Sequence, residues 1–276
     1  MKELVIATTN PGKLREIREL LKDCDIKITS LSDYPDAPTI EEDGRNFAQN
    51  ALKKAATIAL YTGKLTLGED SGLEVKALGN KPGIYSARFS LLKAGKSLGG
   101  SCLSGVNTTD KKNNAKLLRS LRGVSFKKRQ ARYRCFVALV DGKGIIDVVS
   151  GSCAGVIAFR GRGKNGFGYD PLFFLRRYNK AFAELDPAIK AKISHRARAL
   201  SKVKKVLKKY CKTIDHGLHE RSIVDSLDQN ISFNIVPIPS CNPSLRTSVV
   251  FSRILKGRVW TLYCGLRRVP VSFMET

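Results

Sequence analysis

Two adjacent carboxylates, Glu69 and Asp70, are followed at once by Ser71 and Gly72. Carboxylates at the end of a strand, facing a cleft, can hold a hard divalent cation such as Mg²⁺ or position a water for deprotonation. Residues 64–67 predict a short strand that the carboxylates terminate. Because side chains alternate along a strand, both carboxylates point the same way only if the chain turns there, and Gly72 permits that turn. The same four residues are also typical of an ordinary turn.

A second polar stretch lies between a buried strand predicted at residues 3–9 and a helix predicted at residues 13–23. It consists of Thr8, Thr9, Asn10, Pro11, Gly12 and Lys13. Backbone N–H groups at a helix start, together with a lysine, can cradle a phosphate. The spacing is not that of a P-loop, and the stretch also fits a plain strand-to-helix turn.

Three acidic residues, Glu41, Glu42 and Asp43, stand together in a chain that is otherwise basic. They either place negative charge at the start of a helix predicted over residues 45–61, where the helix dipole favours it, or serve as metal ligands. Lys54 lies on that helix, in a position that is typical of solvated surface.

Four glycines lie within eight residues in the segment 161–171. Glycine lets the backbone approach a ligand closely, and Phe167 and Tyr169 could stack on a base. A long basic helix is predicted over residues 188–210, with Lys190, His195 and Arg196 at its start. A lone histidine near a helix end is more often structural than functional, so both interpretations of His195 stay open at this point.

The chain has 276 residues and a net charge of +25, and 42% of its residues are apolar. This length fits one large domain or one domain with an extension. The charge indicates a polyanionic binding partner, such as nucleic acid, nucleotides or an acidic surface, or a host whose proteins are basic in general. Lysines and arginines are spread along the chain without interleaved aromatic residues, which argues against a dedicated groove for single strands.

Seven cysteines, an odd number without a Cys-x-x-Cys pair, predict free thiols in a reducing cytoplasm rather than a disulfide framework. No run of about 18 apolar residues is present, so we expect no membrane span. The apolar run Leu4-Val5-Ile6-Ala7 is too short for a signal peptide.

Five motifs occur along the chain in a fixed order. They are Thr8-Thr9-Asn10-Pro11-Gly12-Lys13, Glu69-Asp70-Ser71-Gly72-Leu73, Pro82-Gly83-Ile84-Tyr85-Ser86-Ala87-Arg88-Phe89, Gly166-Phe167-Gly168-Tyr169-Asp170-Pro171 and Ile193-Ser194-His195-Arg196. Together they closely resemble the inosine/xanthosine triphosphate pyrophosphatases, hydrolases that remove non-standard purine nucleotides. The resemblance covers residue 1 to about residue 210.

This resemblance implies an α/β fold with a long mixed β-sheet flanked by helices and two lobes around a central cleft. It implies Mg²⁺-dependent hydrolysis of ITP, dITP and XTP to the monophosphate and pyrophosphate, which cleanses the nucleotide pool and keeps these nucleotides out of DNA and RNA. It also implies a cytoplasmic homodimer, and we expect no membrane contact and no specific nucleic-acid partner. The residue types agree, because a triphosphate with Mg²⁺ needs cations, amide donors and a carboxylate-held metal.

The resemblance also assigns roles to individual residues. Asp70 would be the general base and a Mg²⁺ contact, and Glu42 the second metal carboxylate, with Glu41 as the alternative that spacing leaves open. The substrate-binding residues would be Thr8, Thr9, Asn10, Pro11, Gly12, Lys13, Lys54, Ser71, Phe167, Gly168, Tyr169, Asp170, Lys190, His195 and Arg196. Hypoxanthine and xanthine carry a 6-oxo acceptor where adenine has an amino donor, so donors such as backbone amides or the Arg196 guanidinium would select them.

Two departures from the family pattern bear on domain organisation. An insertion at about residues 91–106 separates the Ser-Ala-Arg-Phe motif from the next helix, and family chains normally stop near the end of the basic helix. We therefore predict a pyrophosphatase domain at residues 1–211 and a C-terminal extension at 212–276, poorly ordered and outside the catalytic fold. The alternatives are a pyrophosphatase of another modified nucleotide and, in a different class, a basic nucleic-acid-binding protein.

Overall fold

The computed structural model describes residues 2–92, 109–215, 249–255, 258–264 and 273–275. The chain divides into two compact units, Met1–Leu207 and Lys208–Thr276. Most of the insertion expected at residues 91–106 lies outside the described residues, and so does most of the extension expected at 212–276. That the extension stands outside the catalytic fold stays a prediction.

The described part of the first unit contains both helices and strands. The helices α1–α5 span Pro11–Leu21, Phe47–Thr62, Asp110–Ser120, Pro187–Ile193 and His195–Asp215. The strands β1–β8 span Glu3–Ala7, Lys27–Ser30, Leu65–Val75, Lys81–Pro82, Gln130–Asp141, Gly144–Ile157, Phe173–Leu175 and Lys180–Ala181. The α/β class with a long mixed sheet, expected from the sequence, is confirmed.

The mixed sheet has the strand order β2-β1-β3-β5-β6-β7-β8, and β4 pairs with the end of β3. Strand β1 is parallel to β2 and β3, whereas β3, β5, β6, β7 and β8 pair antiparallel. Ala7, the last residue of β1, lies beside Gly68 of β3. The polar stretch after β1 therefore begins level with the two carboxylates of β3, outside the carboxyl end of a parallel strand where ligands commonly bind.

Strand β3 differs from the sequence prediction, which ended it at the carboxylates and placed a turn at Gly72. It runs unbroken over eleven residues and pairs with β5 from Thr66 to Val75. The prediction was wrong because the partner strand lies far along the chain and satisfies the backbone through the whole segment. Glu69 and Asp70 consequently point to opposite faces of the sheet.

Two glycines of β3 allow close contacts rather than a turn. A Cβ on Gly68 would come within 2.1 Å of the Ala51 carbonyl oxygen, so this glycine lets α2 lie directly on the strand. A Cβ on Gly72 would come within 2.4 Å of Ser86 Oγ. The glycines thereby set how closely α2 and the 83–91 segment approach the two carboxylates.

The basic helix predicted over residues 188–210 is broken at Ser194, which corrects a second expectation. Ser194 has an extended backbone (φ −65°, ψ 159°), and its Oγ accepts a hydrogen bond from Ala197 N at 3.1 Å. Serine is a favoured N-cap, so the break begins a new helix rather than bending an old one. His195 and Arg196 therefore lie in the first turn of α5.

The described part of the second unit comprises the end of α5, from Lys208 to Asp215, and a small antiparallel sheet. Strands β9, β10 and β11 span Val249–Leu255, Arg258–Cys264 and Phe273–Glu275, in the order β11-β10-β9. Across the described ranges of both units, no helix combines the length and apolarity needed to cross a membrane.

Candidate active site

A cleft of about 520 Å³ gathers side chains from segments far apart in the sequence. Fifteen of the seventeen residues predicted as site residues line it. These are Thr8, Thr9, Asn10, Lys13, Glu42, Lys54, Asp70, Ser71, Phe167, Gly168, Tyr169, Asp170, Lys190, His195 and Arg196. The cleft thus brings together all of the predicted set apart from Pro11 and Gly12.

Pro11 and Gly12 have backbone and packing roles at the start of α1. Pro11 is the first helical residue, where its missing N–H costs nothing. Gly12 is buried, and a Cβ there would lie 2.9 Å from the Phe167 ring. The Asn10 side chain accepts from Lys13 N at 3.0 Å and caps the helix. The positive end of the α1 dipole consequently opens at the cleft, where an anion is favoured.

Asp70 meets α2 on one face of β3. Its Oδ2 accepts a hydrogen bond from Asn50 Nδ2 at 3.0 Å, and its Oδ1 lies 3.7 Å from Lys54 Nζ. Lys54 also pairs with Glu42 Oε1 at 3.0 Å, so it is a buried cation between two carboxylates rather than the solvated side chain expected. Glu41, by contrast, is exposed.

The two carboxylates of this group have opposite pKa shifts. Burial raises the pKa of Asp70, the charge of Glu42 adds to the rise, and Lys54 offsets only part of it. Burial acts in the same direction on Glu42, but the charges of Lys54, Lys13 and Arg88 outweigh it and lower the Glu42 pKa. Asp70 is therefore the better proton acceptor of the pair near neutral pH.

Glu69 points to the other face of β3 and joins a chain of ion pairs in which Glu69 and Arg196 are buried and Glu16 is 24% exposed. It lies 2.8 Å from Lys13 Nζ and 3.1 Å from Arg196 Nη2. Arg196 also pairs with Glu16, whose second oxygen is 2.8 Å from Lys190 Nζ. Burial opposes ionisation of Glu69, but Lys13 and Arg196 outweigh it and hold its pKa well below the usual range.

His195 lies against an aromatic wall of the cleft. Its ring stacks on Tyr133 with centroids 4.5 Å apart and planes 8° from parallel. Burial, reinforced by the charge of Arg196, lowers the pKa of His195 well below its usual value, so the imidazole is neutral at pH 7. Its buried Nδ1 has no hydrogen-bond partner among the described residues. A neutral ring of this kind can offer a donor or an acceptor to a ligand.

The glycine-rich segment lines the cleft next to this wall, since Tyr133 donates to Asp170 Oδ1 at 3.4 Å. Phe167 is half-buried, with Lys190 Nζ 5.2 Å and Arg196 Cζ 5.6 Å from its ring centroid. Tyr169 is buried, and its hydroxyl donates to the Ser86 carbonyl at 2.8 Å. Asp170 accepts from Lys190 at 2.7 Å. The accessible ring for stacking on a base is therefore Phe167.

Comparison with known proteins gives a family match over nearly the same residues as the first unit. The Ham1 family model matches residues 4–206. This chain belongs to the Ham1 family. The resemblance drawn from the five sequence motifs is thereby confirmed.

Two relatives of this Ham1 chain are named dITP/XTP pyrophosphatase. The protein of Desulforamulus reducens is 46% identical over 205 residues, 74% of this chain and 95% of that protein. The protein of Geobacter sulfurreducens is 46% identical over 204 residues, 74% and 96% of the two chains. A solved HAM1 protein from Coxiella burnetii is similar with a TM-score of 0.65 and 37% identity, covering 76% of this chain and all of that one.

Sequence reasoning missed a clamp that α3 of this Ham1 chain places on the glycine-rich segment. Asp110 Oδ2 accepts from Gly168 N at 2.6 Å, and Asn114 Nδ2 donates to the Gly168 carbonyl at 3.0 Å. Asn113 fixes the segment at 87–90, since it accepts from Ser90 N at 2.8 Å and donates to Ala87 O at 3.1 Å. Polar residues at i, i+3 and i+4 of a helix start were the available signal.

Three further residues of the site were also missed. Glu16 lies three residues after Lys13 on α1, a spacing that puts both on one helix side. Glu69 was a candidate carboxylate in the sequence, but the family resemblance gave it no role, although it is more deeply buried than Asp70. Arg88 donates to the Glu42 carbonyl at 2.9 Å and fixes the backbone of a candidate metal ligand.

Proposed function

We propose that this chain hydrolyses the non-standard purine nucleoside triphosphates ITP, dITP and XTP to the monophosphate and pyrophosphate. The observation that carries the proposal is that Lys13, Asp70 and His195 open onto one cleft. The names of the relatives support it independently. In the cell the reaction would cleanse the nucleotide pool, in the cytoplasm, and keep these nucleotides out of DNA and RNA.

The triphosphate would lie over the start of α1. Thr8, Thr9 and Asn10 surround the positive end of the helix dipole, and Lys13 adds a full charge. Lys13 is paired with Glu69 and only 16% exposed, so it is already oriented before a ligand arrives. Ser71 of β3 and Lys54 of α2 would add two further donors for the phosphates. Pre-orientation of this kind lowers the ordering cost of binding a highly charged chain.

Glu42 and Asp70 are the residues that would hold Mg²⁺. Both line the cleft and both approach the same ammonium group of Lys54, so the space between them already favours positive charge. Two hard carboxylates, with substrate phosphates and waters completing the shell, are a usual donor set for this ion. When bound, the ion would neutralise phosphate charge and acidify a nearby water.

Asp70 would act as the general base. Burial raises its pKa and makes it a stronger base than an exposed aspartate. Each of its oxygens accepts one hydrogen bond, Oδ2 from Asn50 and Oδ1 from Ser71 N at 2.9 Å, so each keeps a lone pair that could take a proton. The attacking water would lose a proton to Asp70 and form a bond to the α-phosphorus. The bond from that phosphorus to the oxygen bridging the α- and β-phosphates would break, so that the monophosphate forms and pyrophosphate leaves. Lys13 and Lys54 would stabilise the charge that the departing oxygens gain.

The purine base of the substrate would bind between Phe167 and the start of α5 and be recognised there. The three nitrogen atoms of the Arg196 guanidinium group differ in whether they already have a hydrogen-bond partner. Both Nη atoms bond to Glu16, Glu69 or Ser71, whereas the buried Nε has no partner among the described residues. With neutral His195 in the tautomer that protonates Nδ1, it would supply donors that suit a 6-oxo group and leave a 6-amino group unpaired.

Substrate identity is tested with a panel of triphosphates. Purified chain with Mg²⁺ is given ITP, dITP, XTP, ATP, GTP and a pyrimidine triphosphate, and pyrophosphate release is measured. We expect the first three to dominate kcat/KM. Preference for a pyrimidine or a methylated base would instead favour the related pyrophosphatase class.

The assignment of Arg196 is tested with Arg196→Lys, which keeps the charge and loses the planar donor set. We expect the ITP to ATP ratio of kcat/KM to fall by about tenfold or more. Arg198→Lys is the matched control, because Arg198 lies on the same helix and donates to the Ser152 carbonyl instead. An unchanged ratio in Arg196→Lys would reject the assignment.

We also propose a homodimer, as the family resemblance implies. Strand β6 pairs with β5 along its length but with β7 only at its last two residues. Within the described residues, the remaining edge at 144–155 therefore has no neighbouring strand, and α5 side chains bond only its Ser150 and Ser152 carbonyls. Open edges invite pairing with another chain.

Light scattering should give a dimer mass that Val148→Lys lowers, and a monomeric wild-type chain would contradict the proposal.

A further inference from the structure

Three phenylalanine rings from separate segments meet on a surface outside the cleft. Phe126 precedes β5, Phe159 follows β6 and Phe174 lies in β7. The Phe126 centroid is 5.9 Å from that of Phe159 and 6.0 Å from that of Phe174. Phe174 is buried, but Phe159 is 60% exposed and presents a ring to solvent.

Each ring carries an arginine. The guanidinium carbon of Arg129 lies 4.2 Å from the Phe159 centroid, that of Arg176 lies 5.4 Å from Phe126, and that of Arg162 lies 5.4 Å from Phe174. We call these six residues the Arg–Phe face. In each of the three segments the arginine follows its phenylalanine by two or three residues, so basic and aromatic residues are interleaved locally, contrary to the expectation from the chain as a whole. The fold brings the three pairs together on one surface.

Two shallow grooves adjoin the Arg–Phe face and share the ridge 123–125. One, of about 520 Å³, is lined by Arg119, Arg122, Arg129 and Phe159 together with Leu118 and the ridge. The other, of about 590 Å³, is lined by Lys76 and Lys128 with Ala77, Gln130 and the ridge. No acidic side chain of the described residues lines either groove.

The cations of this surface differ in how they are engaged. Arg129 donates to the carbonyls of Leu121, Val124 and Ala158, so it is fixed in place, and Arg162 pairs with Glu184 at 3.0 Å. The remaining five form no ion pair with any residue in the described part of the chain. They are Lys76, Arg119, Arg122, Lys128 and Arg176. Their charge is available to a polyanion.

We propose that the Arg–Phe face and its two grooves bind single-stranded nucleic acid. Phosphates would follow the grooves and one base would stack on Phe159, the combination that single-strand binding surfaces use. A duplex keeps its bases stacked internally and gains nothing from an exposed ring. A second copy of this chain fits poorly, because a two-fold contact would set the same cations against each other. The proposal concerns residues outside the cleft and stands independently of the hydrolase function.

Fluorescence anisotropy with a labelled oligothymidylate of about 12 nucleotides tests the proposal. A 5′-hydroxyl end keeps the probe from offering a triphosphate to the cleft. If all five available cations engage phosphates, log K should fall with log[KCl] with a slope of about −3.5. Arg119→Gln with Arg122→Gln should make the slope shallower by about 1.4. Lys205→Gln with Lys208→Gln, exposed on α5, removes equal charge elsewhere and should leave the slope unchanged.

Phe159→Ala separates base stacking from charge. It should weaken binding by roughly 5- to 100-fold at every salt concentration and leave the slope unaltered. Release of pyrophosphate from ITP checks folding, because none of these residues lines the cleft. Equal affinity for a duplex of the same length, or full affinity in Phe159→Ala, would overturn the proposal. So would the absence of oligonucleotide binding beside a self-association that Phe159→Ala abolishes, which would identify a contact between copies.

Discussion

Two clusters of charged and polar side chains differ in how they are built, one around Glu69 of β3 and one around Glu3 of β1. The inner cluster, at the cleft, comprises Lys13, Glu16, Glu69, Asp170, Lys190 and Arg196. The outer cluster, at the start of β1, comprises Glu3, Thr29, Tyr34 and Lys64. In the inner cluster the Glu69 side chain is 0% and that of Arg196 2% exposed, whereas Glu3 and Lys64 are 20% and 40% exposed.

The difference in burial separates function from stability. Burying an ion pair costs about as much in desolvation as the pair returns, so a buried network is weak evidence of stabilisation. The outer cluster avoids most of that cost, because its lysine and carboxylate stay partly hydrated while Glu3 Oε1 accepts from Lys64, Tyr34 and Thr29. We infer that the inner cluster is retained for the ligand and the outer one for the fold.

The largest effect is expected at Asp70, beside the inner cluster. Asp70→Asn keeps the size of the side chain and one acceptor oxygen but cannot accept a proton as a base, so kcat for ITP should fall by about 10²- to 10⁴-fold. Pyrophosphate release measures the loss, and unchanged urea unfolding shows that the fold persists. Asp23→Asn, 73% exposed, is the control. A loss of less than about tenfold would remove Asp70 from the role of base.

Breaking the inner cluster should affect activity and stability together. Glu69→Gln leaves Lys13 without a carboxylate, while Glu16 still neutralises Arg196. We expect the free energy of unfolding to drop by about 3 kcal/mol, near the lower end for removing one partner of a buried pair. Urea titration measures it, and kcat/KM for ITP should fall with it. Full stability with full activity would mean that the pair is dispensable and would weaken the comparison.

Local sequence reasoning reached the elements and the site members but not their directions. Periodicity located α1 and α2, and the polar residues at their starts could be recognised as candidate site residues. It failed at β3, where pairing with β5 overrides the turn expected from Gly72. It failed again for Lys54, which looks solvated on a helix and is buried only because Glu42 and Asp70 converge on it. Both misses depend on contacts between distant segments.

A smaller effect is expected from breaking the hydrogen bonds between α3 and Gly168. These bonds position the glycine-rich segment and do not change the charges of the inner cluster, so they separate positioning from charge. Asp110→Ala removes the acceptor for Gly168 N, so KM for ITP should rise about tenfold with kcat nearly unchanged. Asp110→Asn retains an acceptor and should recover most of the KM. Lys111→Ala, exposed in the same turn, controls for helix stability. A fall in kcat alone, or no recovery in Asp110→Asn, would argue against positioning.

The smallest effect is expected in the outer cluster and depends on pH. Hydrogen bonds from Lys64 and Tyr34 lower the pKa of Glu3 to about 2, below its ordinary value of 4.5. A carboxyl whose pKa is depressed in the folded state stabilises above the unfolded pKa and loses that contribution as pH falls towards the folded one. Glu3→Gln should therefore lower the free energy of unfolding by at most about 1 kcal/mol above pH 5, since the pair is partly hydrated.

Urea titrations of wild type and Glu3→Gln across pH 7 to 2 should show this difference shrinking from about pH 4.5 downwards and vanishing near pH 2. Glu19→Gln, whose partner Lys22 is 61% exposed, should show almost no difference at any pH. Activity on ITP at pH 7 should be the same in all three chains, because Glu3 and Glu19 lie outside the cleft lining. A pH-independent difference would mean that Glu3 stabilises through packing, and the contrast between a hydrated cluster for the fold and a buried one for the ligand would then rest on the inner cluster alone.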